Sequence, residues 1–405
     1  MIRVDDAIKK VLNAAIPLDA DEMQSVNAVG FILAEDIVSD TDVPPFDRST
    51  MDGYAMKASS VDAGVEIPVD AVVGAGDCYP YTAPDGHAVK IMTGAPIPDG
   101  CDTVIPIEEI SEIYEVVIKL DSNPKKGRNI ALKGEEIAKG NRVLRKGTSI
   151  DAIVSAVLAQ VGFTKIIVHR HPNILILVTG SELVEPDHIP TGGQIRESNS
   201  YGILAQCSIW GGVGLRTGSS ADSYKDLERE LRAIFKLAPD ILLITGGVSV
   251  GDFDLVPDVL SGLETEIIFH NVAQKPAKPM LFARHDKTLV FGLPGNPVAA
   301  FLGFELYVGP LIRRMCGDTE YKTRFMSAIA SDDFRVSSDR EFFHPARIYF
   351  KDDEWIAEPV SARGSADICS IVNANAFARF EKGKYTVSKG ERIKFFFLRG
   401  KLYGT

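Results

Sequence analysis

Asn173-Ile174-Leu175-Ile176-Leu177-Val178-Thr179-Gly180-Ser181-Glu182 is an unbroken apolar run that ends in a polar, glycine-containing turn. A strand with one wet face alternates apolar and polar residues, whereas a strand covered on both faces reads as continuous Ile, Leu and Val. The same texture returns at Ile241–Thr245 and again gives way to a loop, Thr245-Gly246-Gly247-Val248-Ser249-Val250-Gly251-Asp252-Phe253-Asp254. Helical periodicity lies between the two runs. It marks Asn199–Trp210 and then 223–237, where Tyr224, Leu227, Leu231, Ile234 and Phe235 form one stripe behind a cap at Asp222 or Ser223. A strand is expected over 213–218. Short apolar runs at 259–260, 267–269 and 289–291 precede a last helix from Val298 to about Met315. Strand alternating with helix predicts a parallel, doubly wound α/β domain over 171–320.

On either side the texture changes. Residues 4–16 carry Val4, Ile8, Val11, Leu12, Ala15 and Ile16 on one helical stripe that Pro17 ends, and a second stripe (Ile150, Val154, Val157, Leu158, Val161) precedes a strand over Lys165–His169. Between these helical segments, short β-rich runs at 69–73, 87–92, 103–107 and 114–120 are separated by Gly, Pro, Asp and Asn. The expected organisation is an N-terminal helical domain (1–43 with 142–170), an inserted small β-domain (44–141), the α/β domain, and a C-terminal small β-domain (321–405). The last is read from alternating runs at 342–350, 355–360 and 393–398.

The 405 residues divide into several cores rather than one. A net charge of −11 argues against non-specific binding to nucleic acid or to an anionic membrane. The five cysteines are scattered with no Cys-x-x-Cys pair, so neither a zinc knuckle nor a disulfide framework is suggested. There is no signal-peptide pattern at the N-terminus and no apolar run of membrane-spanning length, so a cytoplasmic protein is expected.

Ligands of an open α/β sheet sit beyond the carboxyl ends of its strands. Three loops fall there: 179–182, 245–254, and Leu293-Pro294-Gly295-Asn296-Pro297. Successive glycines let backbone N–H groups converge on an anion, and helix N-termini favour its charge, so the ligand is expected to carry phosphate. None of the loops is a Walker A or Gly-x-Gly-x-x-Gly motif. Carboxylates repel phosphate, so Glu182, Asp222, Asp252 and Asp254 at this edge need a reason; hard oxygen ligands beside phosphates hold Mg²⁺. Lys275-Pro276-Ala277-Lys278-Pro279 offers two point charges for an anion on a proline-stiffened segment. By composition, Pro44–Ala55 and Ile91–Gly100 read as tight turns at a domain junction, richer in hydrogen-bonding groups than turns require.

Taken together, the runs PPFDRSTMDGYA (44–55), IMTGAPIP (91–98), TGSEL (179–183), ESNSY (197–201), TGGVSVGDFD (245–254), KPAKP (275–279), GLPGNPVAAF (292–301) and GSADICSIVNANAF (364–377) resemble the molybdopterin molybdenumtransferase family, also called the MoeA or gephyrin E-domain family. The resemblance runs in order along essentially the whole chain. It implies a molybdopterin-binding α/β domain, a C-terminal β-barrel, and insertion of molybdate into adenylylated molybdopterin with Mg²⁺-assisted cleavage of the phosphoanhydride and release of AMP. It also implies a homodimer whose active site is shared between subunits. A partner adenylyltransferase and acceptor molybdoenzymes are the expected macromolecular contacts.

Carried over by position, the resemblance assigns catalytic roles to Asp52, Thr93, Glu182, Asp222 and Asp254, with Glu182, Asp222 and Asp254 as Mg²⁺ ligands. Substrate and anion binding falls to Gly246, Gly247, Ser249, Lys275, Lys278, Pro294, Gly295, Asn296, Pro297, Arg347 and Ser365. Four positions depart from the family pattern: Ala131 for an arginine, Glu136 for an aspartate, Asn271 for a lysine and Ala277 for a glycine. The sequence does not choose between molybdate and tungstate, which are tetrahedral dianions of nearly equal size. A tungstate-using paralogue and a non-catalytic molybdopterin-binding or scaffold protein of the same fold are the alternative readings.

Overall fold

The computed structural model describes residues 1–114, 116–220, 223–247, 255–361 and 364–401, so the assignments to Asp222, Ser249 and Asp254 lie outside the described residues. The apolar runs do form the centre of an α/β sheet. Its strand order is Val213–Ser220, Asn173–Thr179, Ile241–Thr245, Thr288–Leu293, Leu281–His285, Glu266–His270. The first four run parallel. Leu281–His285 is a strand that the sequence reading missed, and it runs antiparallel to both neighbours, so the sheet is mixed rather than wholly parallel. It joins Thr288–Leu293 through a tight hairpin in which Asp286 takes a positive φ of 50°. The short run at 259–260 belongs to a helix, Val256–Gly262.

Period-2 alternation sorts the sheet into two layers. Ile174, Ile176, Leu243 and Phe291 face one side, with Ile203, Cys207, Trp210, Leu302 and Phe304 of the covering helices. Leu175, Leu177, Leu242 and Ile244 face the other, packed by Leu227, Leu231, Ile234, Val256 and Val259. Both faces are therefore dry, which is why these strands carry no polar alternation. Each fully buried Leu or Ile contributes about 1.5–3 kcal/mol, and truncating a central residue such as Leu243 would cost about 2–5 kcal/mol. The last helical stretch runs Pro297–Gly303, Phe304–Val308 and Gly309–Met315, the middle piece being a π-turn. Gly309 is required there, because a Cβ would fall 2.4 Å from the Trp210 ring.

The N-terminal helix, Val4–Ala14, buries Val4, Ala7 and Val11 in the same cluster as Ile174 and Leu306. Ala20–Gln24, Lys165–His169 and Ile32–Leu33 form a small antiparallel sheet. Beside it, the helix Ala152–Gln160 is capped by Asp151, whose carboxylate accepts from Val154 N at 2.8 Å. Residues 53–120 fold into a six-stranded sheet with order Thr103–Pro106, Gly53–Met56, Ala88–Ile91, Ile67–Val73, Val117–Leu120, Ile110–Ile113. Gly53–Met56 is buried at all four positions and pairs on both sides. The composition of 44–55 had suggested a turn alone. A Cβ on Gly53 would lie 2.1 Å from the Ile105 carbonyl oxygen, so that strand needs glycine at its start.

Near the C-terminus, Glu341–Lys351 pairs with Glu354–Pro359 on one side and Ala376–Phe380 on the other, and Met326–Ala330 and Arg392–Phe397 complete a closed five-stranded barrel. Among the described residues no helix is long and apolar enough to cross a membrane.

Candidate active site

At the carboxyl ends of Asn173–Thr179 and Ile241–Thr245 lies a cleft of about 610 Å³. Its walls include Gly246, Gly247, Glu182, Pro294, Gly295, Asn296 and Pro297, all sequence-assigned positions. The glycines are dictated by the packing beneath them. Gly246 has φ +92°, and a Cβ there would sit 2.3 Å from the Thr179 carbonyl oxygen. Thr179 Oγ1, close under both glycines, is buried without a hydrogen-bond partner. A buried hydroxyl without a partner is a cost that a bound ligand or ordered water would offset.

Asn199, at the start of its helix, ties the two loops together. Its Nδ2 donates to Thr245 Oγ1 at 2.9 Å and to the Gly295 carbonyl at 2.7 Å. Glu197 is 4% exposed, and its carboxylate accepts from Ser200 N at 2.8 Å and Ser200 Oγ at 2.6 Å, so it caps this helix. Glu182 is different. It is exposed on the cleft wall, its backbone carbonyl accepts from Ile195 N, and its carboxylate has no hydrogen-bond partner among the described residues. The Glu182 carboxylate is a single hard oxygen ligand, and the described residues contain no cluster of three or more metal-ligating side chains.

A second cleft of about 420 Å³ adjoins the first and shares Pro279, Pro294 and Asn296 with it. Lys275, Lys278, Arg340, His344 and Ser365 line it, and no carboxylate does among the described residues. Asn296 Nδ2 donates to Ser365 Oγ at 3.0 Å, and Val298 N donates to the Ser365 carbonyl at 3.0 Å, which fixes the partition between the clefts. Lys275 Nζ reaches the Ser337 carbonyl at 3.4 Å and stands 5.8 Å from the centre of the Phe342 ring. Arg340 Nε donates to Asp339 at 2.8 Å, which holds the Asp339 carboxyl below its usual range. The departures at Ala277 and Asn271 both take positive φ, +67° and +70°. Asparagine tolerates that conformation; alanine is strained by it.

Arg347 does not join this group. It is exposed further along Glu341–Lys351, in register with Glu358, outside the walls of both clefts. The residues of that strand that do reach the second cleft are Phe342, Phe343, His344 and Pro345.

Asp52 and Thr93 form a third cluster on the inserted domain. Thr93 N and Thr93 Oγ1 donate to the same Asp52 oxygen at 2.7 Å and 2.8 Å. Those bonds, the backbone one first, hold the Asp52 carboxyl below the ordinary carboxylate range. The cluster is stitched from three sequence runs: Gly94 N donates to Ser49 O at 2.8 Å, Thr50 N to Asn129 O at 3.1 Å, and Lys133 N to Asp47 Oδ1 at 2.7 Å. Glu136, one of the departures, accepts from Arg48 Nη2 at 2.8 Å, and Ala131 sits opposite Arg48 in register. Within one chain, Asp52 and Thr93 line neither cleft.

Sequence reasoning had assigned no role to Thr179, Glu197, Asn199, Thr245, Arg340 or His344. The two threonines could have been found as the last residues of strands facing a ligand edge, and Glu197 and Asn199 from the ESNSY run. The lining role of Arg340 and His344 depends on how the barrel docks, and no local pattern signals it.

The α/β sheet thus carries two adjoining clefts, one floored by Gly246 and Gly247 at its carboxyl edge and one lined by Lys275 and Lys278. Residues 175–314 match the family described as a probable molybdopterin binding domain, residues 2–162 the MoeA N-terminal region (domain I and II), and residues 327–398 the MoeA C-terminal region (domain IV). A Staphylococcus aureus (strain MRSA252) protein named molybdopterin molybdenumtransferase is 33% identical over 399 residues, covering 97% of this chain and 94% of its own. One from Staphylococcus epidermidis (strain ATCC 12228 / FDA PCI 1200), with the same name, is 33% identical over 389 residues, 94% of this chain and 92% of its own. The crystal structure of a molybdopterin biosynthesis MoeA protein from Pyrococcus horikoshii OT3 superposes with a TM-score of 0.82 at 29% identity, covering 98% of this chain and 100% of that one. The chain belongs to the MoeA family of molybdenum cofactor biosynthesis.

Proposed function

We propose that the protein is a molybdopterin molybdenumtransferase that takes adenylylated molybdopterin in the first cleft and molybdate in the second. The observation that carries this reading is the shared wall at Pro279, Pro294 and Asn296, which makes the two clefts neighbours. A phosphoanhydride held over the Gly246–Gly247 floor would then present its pterin end towards the lysine-lined side. Water adds to the phosphoanhydride, so AMP leaves and the pterin keeps its own phosphate, while the dithiolene sulfurs displace oxygen from molybdate, and that oxygen departs as water with the thiol protons. The reaction needs alignment and charge neutralisation more than a covalent nucleophile.

The chain's own residues would divide the work. Asn199 holds the glycine and proline loops in register with each other, and Asn296 ties the proline loop to Ser365. Lys275 and Lys278 attract the oxyanion as point charges, and Ser365 offers it a hydroxyl. Glu182, together with Asp222 and Asp254, would hold Mg²⁺, which when bound supplies positive charge to the phosphoanhydride oxygens. Because Asp52 and Thr93 line neither cleft of their own chain, they are assigned to the cleft of a second subunit in a homodimer. Asp52, kept ionised by Thr93, would there orient the attacking or leaving oxygen. The test is to supply adenylylated molybdopterin, molybdate and Mg²⁺ and to follow AMP. Molybdate-dependent AMP release is expected; tight binding without AMP release would leave only the scaffold reading.

A further inference from the structure

We infer that His344 is the proton-carrying contact for the oxyanion in the second cleft, so that anion capture is coupled to the uptake of a proton. The inference rests on the reading of that cleft as the oxyanion pocket, and it concerns a residue that carries no assigned role.

His344 Nδ1 lies 2.8 Å from the Pro345 carbonyl oxygen. A carbonyl only accepts, so Nδ1 must carry a hydrogen and the tautomer is fixed. Nε2 is the remaining ring nitrogen, and it has no hydrogen-bond partner among the described residues. The ring is held edge-on by Phe334 at 5.5 Å and Phe342 at 5.7 Å, so its orientation does not depend on a ligand.

The surrounding charges are few. Lys275 and Lys278 approach from the proline-rich loop, Arg340 precedes the strand with its partner Asp339, and Ser365 and Asn296 contribute only neutral groups. On the strand paired with it, Arg379 is engaged by Glu341 and Asp5. No carboxylate lines this cleft among the described residues, so nothing there holds a proton on the imidazole until an anion arrives.

In the neutral ring, Nε2 is a lone pair, which repels an oxyanion; in the protonated ring it is an N–H donor, which binds one. Burial first of all pushes the His344 pKa below its ordinary value, so the empty cleft favours the neutral form near neutral pH. A bound dianion reverses this, because it supplies the opposite charge at close range. The sign follows by linkage. Anion affinity is highest below the pKa of the empty state. It declines as pH rises from there and levels off above the pKa of the occupied state. Lys275 and Lys278 attract the anion whichever form His344 takes, so they set a floor to the affinity.

The test is calorimetric titration of the full-length protein with molybdate from about pH 6 to 8.5, in buffers of different ionisation enthalpy. Wild type should take up a substantial fraction of about one proton per anion, and its affinity should fall by up to about tenfold per pH unit within the window. His344→Gln, a neutral hydrogen-bonding replacement, should bind weakly with no uptake and no slope. His344→Arg should bind tightly, again with no uptake. Equal proton uptake by wild type and His344→Gln would overturn the inference, as would a wild type that takes up none. If Lys278→Ala leaves molybdate affinity unchanged, or wild type binds none, the oxyanion-pocket reading fails as well, so the two failures are told apart.

Discussion

Thr93 gives both its backbone N–H and its hydroxyl to one carboxylate oxygen of Asp52. The other oxygen has no protein partner among the described residues, so the pair is a carboxylate fixed at one end and free at the other. Both bonds favour the ionised form, which is therefore present above a depressed pKa and lost only as pH falls through it.

Removing one bond should move that threshold. In Thr93→Ala the side-chain bond is lost while the backbone bond remains, so the acid limb of the pH profile for AMP release should shift to higher pH. Asp52→Asn should lower turnover by about a hundredfold or more if the carboxylate handles a proton, with an unchanged melting temperature, since the side chain is exposed. An acid limb unmoved in Thr93→Ala would remove Asp52 from the rate-determining ionisation.

Asn199→Ala deletes two hydrogen bonds that join the Thr245 and Gly295 loops. Each is worth about 0.5–1.5 kcal/mol. The expected result is AMP affinity reduced about tenfold by calorimetry, with about 1–2 kcal/mol lost in denaturant unfolding. A stability loss with unchanged AMP affinity would place the two bonds outside the ligand's loops.

Ala277 is buried and held at φ +67°. Ala277→Gly removes strain of about 1–2 kcal/mol but adds unfolded-state entropy of about 0.5–1 kcal/mol, so it should be neutral to mildly stabilising. Ala277→Val places a β-branched residue in the same conformation and should cost more than about 2 kcal/mol. Chemical denaturation of the pair checks this; a tolerated valine would contradict the backbone assignment.

If the active site is shared, subunits damaged on opposite sides should rescue one another. Asp52→Ala and Lys278→Ala homodimers should each be nearly inactive. Refolded together at equal amounts, half the dimers are mixed and each mixed dimer keeps one intact site, so activity should return to about a quarter of wild type. No recovery despite confirmed mixing would place Asp52 in the site of its own chain or outside the mechanism.

The α/β core was legible because a strand buried on both faces leaves an unbroken apolar run, as at 173–178 and 241–245. Leu281–His285 was missed because it is short and Arg284, exposed at the edge of its hairpin, interrupts the apolar signal. Gly53–Met56 hid in a run whose Asp, Arg, Ser, Thr and Gly read as turn chemistry, and only its pairing with 88–91 and 103–106 makes it a central strand. In the site, the loops that follow strands were found from local pattern. His344 and Arg340 were not, because their position depends on the barrel folding back onto the α/β domain. That is a long-range fact with no local signature. The carried-over Arg347 shows the same limit: three positions along a strand separate a cleft residue from an exposed one.

On the proposed function, the first cleft holds the nucleotide end of the substrate and the second its oxyanion. Crystals soaked with AMP and molybdate, with the molybdenum located by its anomalous signal, test it most directly. The phosphate of AMP should lie against Gly246 and Gly247, with a molybdenum peak among Lys275, Lys278, His344 and Ser365. Molybdenum bound elsewhere while the second cleft stays filled with water would contradict it.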